Sequence, residues 1–136
     1  MKIYFCGSMT GDRSKQKNYE EIINYLKNYG TILNDFVADK TVTDYEPEYV
    51  FNRDSNNMKN ADVVVADISI PSTGVGFELG YFYHLEKPVL TVYDSSYKLP
   101  TSLVRGADTF TVKSYSSIEE EKEIINKFIE GKSKNR

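Results

Sequence analysis

Three features of this sequence predict a three-layer α/β sandwich, with a five-stranded parallel sheet in the flavodoxin-like, Rossmann-like order 2-1-3-4-5. Short apolar segments alternate with amphipathic stretches along the whole chain, the pattern of strands joined by helical crossovers. Val63-Val64-Val65-Ala66 is apolar without a break, as suits a strand covered by helices on both faces. Loops bearing glycine follow the first and third of the apolar segments, at Gly7 and at Gly74. Open α/β sheets bind ligands where such strands end, beside helix N-termini that favour anions.

Residues 2–6 (KIYFC) form the first strand. Gly7, Ser8, Met9, Thr10, Gly11, Asp12 and Arg13 follow as a polar loop, and Ser14 can cap a helix over residues 14–29. Tyr19, Ile22, Ile23 and Leu26 make one face of that helix, and Gly30 ends it. The unit lacks the G-x-G-x-x-G spacing and the Walker lysine, so neither a nicotinamide nor an ATP site is indicated. Turn geometry alone would also account for its glycines. Residues 31–36 are the second strand. Residues 37–47 show no period and carry Asp39, Lys40, Asp44 and Tyr45; an active-site loop and a surface excursion without fixed structure both fit. A helix over residues 48–60 follows, with Tyr49, Val50, Phe51 and Met58 as its apolar contacts. Asp54 lies on it, and a solvated acidic face is its default explanation.

After the third strand, Pro71, Ser72, Thr73 and Gly74 supply turn chemistry. Val75, Leu79 and Phe82 then fall at helical spacing, in a helix that runs on to residue 86. Glu78 is placed in the first turn of this helix, where the dipole favours an ionised carboxylate. A nucleophile or base needs that form, and a residue that only complements the dipole would sit there too. His84 lies toward the helix end, where a cation is welcome. Residues 88–93 are the fourth strand and residues 94–98 a turn. Pro100 enters a short helix over residues 100–105. Residues 108–112 alternate as an edge strand should. Ser116 or Ser117 caps a last helix whose face is Ile124, Ile125, Phe128 and Ile129.

A chain of 136 residues suits one domain, here residues 1–131, with a basic tail at 132–136 expected to fray. Hydrophobic residues at 40% and charged residues at 27% are ordinary for a soluble globular protein. A net charge of −3 gives no reason to expect nonspecific nucleic-acid binding. No apolar run approaches the ~20 residues that span a bilayer, and Met1-Lys2 leads straight into a strand rather than a signal peptide. The one cysteine, Cys6, excludes an internal disulfide and fits a reducing cytoplasm. With one cysteine and one histidine, no structural zinc site is expected.

Taken together, Ile3-Tyr4-Phe5-Cys6-Gly7-Ser8 and Pro71-Ser72-Thr73-Gly74-Val75-Gly76-Phe77-Glu78-Leu79-Gly80 resemble the nucleoside 2-deoxyribosyltransferase superfamily. Within it the chain is most similar to the 2′-deoxynucleoside 5′-monophosphate N-glycosidases. The resemblance covers nearly the whole chain: Asp54 precedes Ala61-Asp62-Val63 at the family's spacing, and Leu103-Val104-Arg105-Gly106-Ala107 echoes its late loop. It implies that Glu78 attacks C1′ of the sugar, that Tyr4 hydrogen-bonds and positions it, and that Asp54 serves the departing base. It also implies a 5′-phosphate and sugar site made by the loop from Gly7 to Arg13 with Ser72 and Gly74. A homodimer would complete that site, through a hydroxyl of Thr101 or Ser102, beside Leu103, from the partner. Thr10 departs from the family, which carries arginine there in the animal enzymes, so Arg13 or Arg105 would supply the charge.

An oxocarbenium-like state stabilised or trapped by a carboxylate needs no metal and no organic cofactor. Ser72 helps choose the substrate. The free-nucleoside transferases often carry aspartate six residues before the glutamate, where it would repel a phosphate dianion. The expected activity is therefore hydrolysis of a (2′-deoxy)nucleoside 5′-monophosphate to free base and (deoxy)ribose 5-phosphate. Base exchange between deoxynucleosides, a CMP-type ribonucleotide hydrolase and a nucleotide-sensing module without turnover are the alternatives. Tyr4 tilts toward deoxyribose, since the CMP-type relatives carry phenylalanine there.

Overall fold

In the computed structural model, which describes residues 1–9, 12–38 and 46–134, every strand of the one sheet is parallel to its neighbours and the order is β2-β1-β3-β4-β5. The chain runs β1 (Lys2–Cys6), α1 (Gln16–Leu26), β2 (Thr31–Ile32), a 3₁₀ turn (Asp35–Ala38), α2 (Pro47–Asn60), β3 (Val63–Asp67) and α3 (Thr73–His84). It ends with β4 (Val89–Asp94), α4 (Ser102–Arg105), β5 (Phe110–Tyr115) and α5 (Ile118–Lys134). Thr10 and Gly11 of the first loop lie outside the described residues. So do Asp39, Lys40, Asp44 and Tyr45 of the unpatterned segment, and the last two residues of the tail.

Alternation along the strands divides the interior into two cores. Ile3, Phe5, Val63, Val65, Leu90 and Val92 face one way, onto Tyr19, Ile22, Ile23 and Leu26 of α1 and Ile125, Phe128 and Ile129 of α5. Tyr4, Cys6, Val64, Ala66 and Val89 face the other way, onto Met58 of α2 and Val75, Leu79 and Phe82 of α3. Pairing of Tyr4 with Val64 and Cys6 with Ala66 sets the register that carries Tyr4 to the α3 side. Slipping this pair by one residue would turn Tyr4 into the α1 core.

Several elements differ from the sequence expectation, each for a local reason. Strand β2 stops at Ile32 rather than residue 36, because the buried Asn34 takes over its work with a side chain. Asn34 Oδ1 accepts from the Phe5 amide at 2.9 Å, and Asn34 Nδ2 donates to the Phe5 carbonyl at 2.5 Å. Helix α1 starts at Gln16, and Ser14 does not cap it; the Ser14 amide instead donates to Asp12 Oδ1. On α2 only Ser55 and Met58 are buried, whereas Tyr49 and Phe51 stay 55% and 52% exposed. Helix α5 is capped by Ser117, whose Oγ accepts from the Glu120 amide. It continues past Gly131 to Lys134, so the tail is helical for three residues beyond the expected end of order.

The C-terminal edge of the sheet is braced by buried polar groups on the α1 side. Tyr115 donates to Asp67 Oδ2 at 2.6 Å, and the Ser69 amide donates to Asp67 Oδ1 at 2.9 Å. Lys15 meets Asp94 at 3.0 Å and lies over the rings of Tyr97 and Tyr115. These bonds tie the start of α1 to the ends of β3, β4 and β5, and so fix the far end of the loop that leaves β1.

Candidate active site

Helix α3 begins earlier than the glycines suggest. Ser72 is extended, and its Oγ accepts from the Val75 amide at 3.3 Å, which makes it the N-cap. Glu78 is therefore six residues past the cap, in the second turn and not the first. The helix dipole acts within the first turn, so it is not what sets the charge of Glu78. Burial does. On α3 the stripe Val75, Leu79, Phe82 faces the sheet, and Phe77 and Tyr81 lie on the flank toward α2, where Phe77 meets the ring of Phe51 edge-on. Glu78 falls between the stripe and that flank, over the end of β1.

There the Tyr4 hydroxyl donates a short hydrogen bond to Glu78 Oε2. Tyr4 is itself fixed by packing: it is fully buried, and its ring meets Phe82 edge-on at 5.1 Å. Desolvation pushes the Glu78 carboxyl up from its ordinary 4.5 to about 7. The negative charge of Asp54 raises it further, while Tyr4, Cys6 and Arg53 oppose the rise. Burial and the Glu78 charge push the Tyr4 hydroxyl far above its ordinary range, so Tyr4 stays a donor. Asp54 comes from α2, where its Oδ1 accepts from Arg53 Nε at 2.8 Å. The Arg53 guanidinium stacks on Phe36 at 4.1 Å. The structure thus brings Tyr4, Asp54 and Glu78 into one electrostatic unit from three elements. A carboxylate poised near neutral pH, held by a phenol and poorly solvated, suits attack on an electrophilic carbon or removal of a proton.

Cys6 and Arg53 belong to this unit and were not singled out from the sequence. Cys6 carries a legible signal, since it follows Tyr4 by two residues on a strand and must share its face. Arg53 carries none, because adjacent residues on a helix do not ordinarily face each other and its ring partner Phe36 is distant in sequence.

The residues assigned to phosphate and sugar are more scattered. Gly7 is needed for packing, since a Cβ there would stand 3.0 Å from the rings of Phe5 and Tyr19. Ser8 is buried, and its amide donates to the Tyr19 hydroxyl at 3.2 Å. Arg13 donates to the Met9 carbonyl and to Gln16 Oε1, each at 2.7 Å, which secures the loop on itself. Asp12 shares a concavity of about 690 Å³ with Ser72, Thr73, Tyr97, Lys98 and Thr101. Gly74 has open space where a Cβ would go, with only Ser72 Oγ near, at 3.9 Å. Thr101 caps α4 by accepting from the Leu103 amide, and Ser102 accepts from Arg105, which also donates to the Pro100 carbonyl at 2.8 Å. Arg105 is thus folded back on α4. Among the described residues, Lys98 is the cation that lines this concavity together with Ser72. A second concavity of about 540 Å³, lined by Gly76, Gly80, Tyr83, Leu103, Val104 and Phe110, adjoins it. Both flank α3 on its β4 side, and neither is lined by Tyr4, Asp54 or Glu78. The chemistry and the hydroxyls of the α4 loop stand on opposite flanks of α3, meeting at its N-terminus. Among the described residues, no group of three or more His, Cys, Asp or Glu is placed to hold a metal ion.

Known proteins resemble this chain in sequence and in fold. The family model for nucleoside 2-deoxyribosyltransferase matches residues 3–128. A 5-hydroxymethyl-dUMP N-hydrolase of Rattus norvegicus is 38% identical over 112 residues, covering 77% of this chain and 69% of the relative. Another protein of that name, from Danio rerio, is 33% identical over 144 residues, covering 99% of this chain and all of the relative. Among solved structures, a CMP N-glycosidase of Clostridium botulinum superposes with a TM-score of 0.74 at 17% identity, over 94% of this chain and 99% of that one. At that identity the likeness establishes the fold alone.

Proposed function

Because the chain belongs to the nucleoside 2-deoxyribosyltransferase family, we propose that it hydrolyses the N-glycosidic bond of 2′-deoxynucleoside 5′-monophosphates. The products are the free base and deoxyribose 5-phosphate. The observation that carries this reading is the Tyr4 hydroxyl bonded to the half-buried Glu78 carboxylate. In the first step a Glu78 carboxylate oxygen bonds to C1′ as the C1′–N bond breaks, its electron pair leaving on the base. Asp54, whose charge reaches Glu78, is assigned to that base. In the second step water attacks C1′ and its proton passes to the base, while Glu78 departs as a carboxylate again. The name shared by the rat and zebrafish relatives makes 5-hydroxymethyl-dUMP the first nucleotide to try.

Ser72 and Gly74 at the α3 N-terminus, with the loop from Gly7 to Arg13, are assigned to the sugar and phosphate. Ser72 Oγ accepts from a backbone amide, and its hydroxyl hydrogen remains available for a phosphate oxygen. The test is a panel of deoxynucleoside and ribonucleoside monophosphates and free deoxynucleosides, with released base quantified, run on wild type and on Ser72→Asp. Aspartate is as good an N-cap as serine, so the helix should be kept and only the charge changed. Monophosphate turnover should fall far more than turnover of the free deoxynucleoside. An equal fall would remove Ser72 from the phosphate site, and no base release from any monophosphate would remove the function. Adding an acceptor base separates hydrolysis from transfer.

A homodimer is the proposed assembly. Leu103 is 85% exposed, and with Tyr83 it rims a concavity where a Cβ on Gly76 or Gly80 would meet nothing. Phe82 of α3 is fully buried and takes no part in this surface. Light scattering should give a dimer for the wild type and a monomer for Leu103→Asp. A fully active wild-type monomer would overturn the assembly. No helix among the described residues is long and apolar enough to cross a membrane, and the single cysteine is a buried free thiol, which supports a cytoplasmic setting.

A further inference from the structure

Successive residues on a helix point roughly 100° apart, so neighbours do not ordinarily face each other. Arg53 and Asp54 are an exception on α2, where Arg53 Nε donates to Asp54 Oδ1 at 2.8 Å. The arginine can turn back on its neighbour because a second element holds it. Its guanidinium lies over the ring of Phe36, 4.1 Å away, in the 3₁₀ turn that follows β2. The Tyr49 ring stands 5.6 Å from the same group. Phe36 in turn packs on the core that α1 and α5 cover, so the guanidinium is anchored to the body of the fold and not to α2 alone. The two side chains of the pair are each 21% exposed.

We propose that Arg53 is a positioning residue for the reaction: held flat against the Phe36 ring, it grips Asp54 at Oδ1 and so turns Oδ2 to the departing base. The proposal rests on Asp54 serving that base beside a Glu78 nucleophile. An Arg–Asp pair on an open helix face contributes little, since two long side chains must be ordered in water. Here stacking on Phe36 has already ordered the arginine, and its planar fork loses less freedom per hydrogen bond than an ammonium would. A carboxylate gripped at one oxygen is kept from swinging, and a displacement of about 1 Å at such a group costs roughly a hundredfold in rate. The titratable and charged groups around the pair come from two further elements, Tyr4 and Cys6 from β1 and Glu78 from α3. The Arg53 charge favours the Glu78 carboxylate, while that of Asp54 opposes it. Arg53 therefore acts twice, by geometry on Asp54 and by charge on Glu78.

Substitution separates the two actions. Arg53→Met keeps a long side chain and removes both, so the plateau of kcat/KM should fall about ten- to thirtyfold. Its acid limb should also move to higher pH by roughly half a unit, because Glu78 loses a favourable cation. Arg53→Lys restores the charge but neither the flat stacking face nor the Nε donor. It should return the limb to the wild-type position and leave the plateau low. The decisive measurement is the double variant. Where Arg53 works through Asp54, adding Arg53→Met to Asp54→Asn should lower the plateau by no more than about twofold further, because the carboxylate it positions is gone. A merely structural role in α2 predicts losses that multiply and a limb that stays. Multiplying losses, a plateau rescued by lysine, or a wild-type plateau in Arg53→Met where Asp54→Asn is impaired would each overturn the proposal and leave the proposed function standing. A full plateau in Asp54→Asn would remove the base role of Asp54 and this proposal with it, while Glu78→Gln still decides the nucleophile.

Discussion

Glu78→Gln should lower the chemical step by several orders of magnitude while leaving substrate binding within roughly tenfold, the pattern of an interaction made mainly in the transition state. Glutamine keeps the size and the helix propensity of glutamate and can still accept from Tyr4, but it cannot bond to C1′. Tyr4→Phe should cost less, about ten- to a hundredfold, because Tyr4 orients the carboxylate and is not consumed. Rapid quench and intact mass measurement check the same point: a deoxyribosyl-phosphate adduct on the wild type should be absent from Glu78→Gln. Near-normal turnover by Glu78→Gln would end the enzymatic interpretation of this site. The variant should also be more stable than wild type at alkaline pH. The folded-state pKa of Glu78 is raised, from 4.5 to about 7, so the native state holds the proton more tightly than the unfolded chain does. The associated stability is fully present below the unfolded value and is lost as pH rises through about 7, at an upper bound of about 3 kcal/mol. Glutamine does not titrate. The melting temperature of Glu78→Gln should therefore overtake that of wild type between about pH 5 and pH 8, which calorimetry at the two ends can read.

The strand and helix alternation, the sheet order and the pairing of Tyr4 with Glu78 were all legible, for different reasons. Periodicity carries the first, because an unbroken run such as Val63 to Ala66 is stable only between two helical layers. Order follows from crossover handedness and the placing of the glycine loops. The Tyr4 and Glu78 pair was visible only through the family resemblance, since nothing local relates residues so distant in sequence. What went unread was mostly the work of single side chains. Asn34 replaces two residues of strand with its amide, and no hydropathy pattern shows that. Gly74 and Gly76 look like loop residues, yet Ser72 caps the helix ahead of them and moves Glu78 into the second turn. That shift changes the physical cause of the Glu78 charge from a dipole that would lower its pKa to a burial that raises it. On α2 the sequence reads Tyr49 and Phe51 as apolar contacts, but the helix buries Ser55 and Met58 and leaves both rings largely exposed.

Asp54→Asn is expected to separate two effects that ordinarily travel together. Asp54 is four-fifths buried at its side chain and bonded to Arg53 at 2.8 Å, and its charge raises the pKa of Glu78. Asparagine removes the charge and keeps the shape, so the midpoint of Glu78 must fall and the acid limb of kcat/KM must move to lower pH. If Asp54 were only an acidic surface residue, that would be the whole effect, and the variant would gain activity at low pH with an unchanged plateau. If Asp54 also holds the departing base, the plateau should drop about a hundredfold or more, the usual scale for a group that handles a proton in the transition state. Arg53 should keep its place when its partner is neutralised, because its guanidinium is stacked on Phe36. The expected profile is therefore lower everywhere and displaced toward acid. A displaced profile with full height would strip Asp54 of any role toward the base, and a lowered profile without displacement would mean that its charge does not reach Glu78.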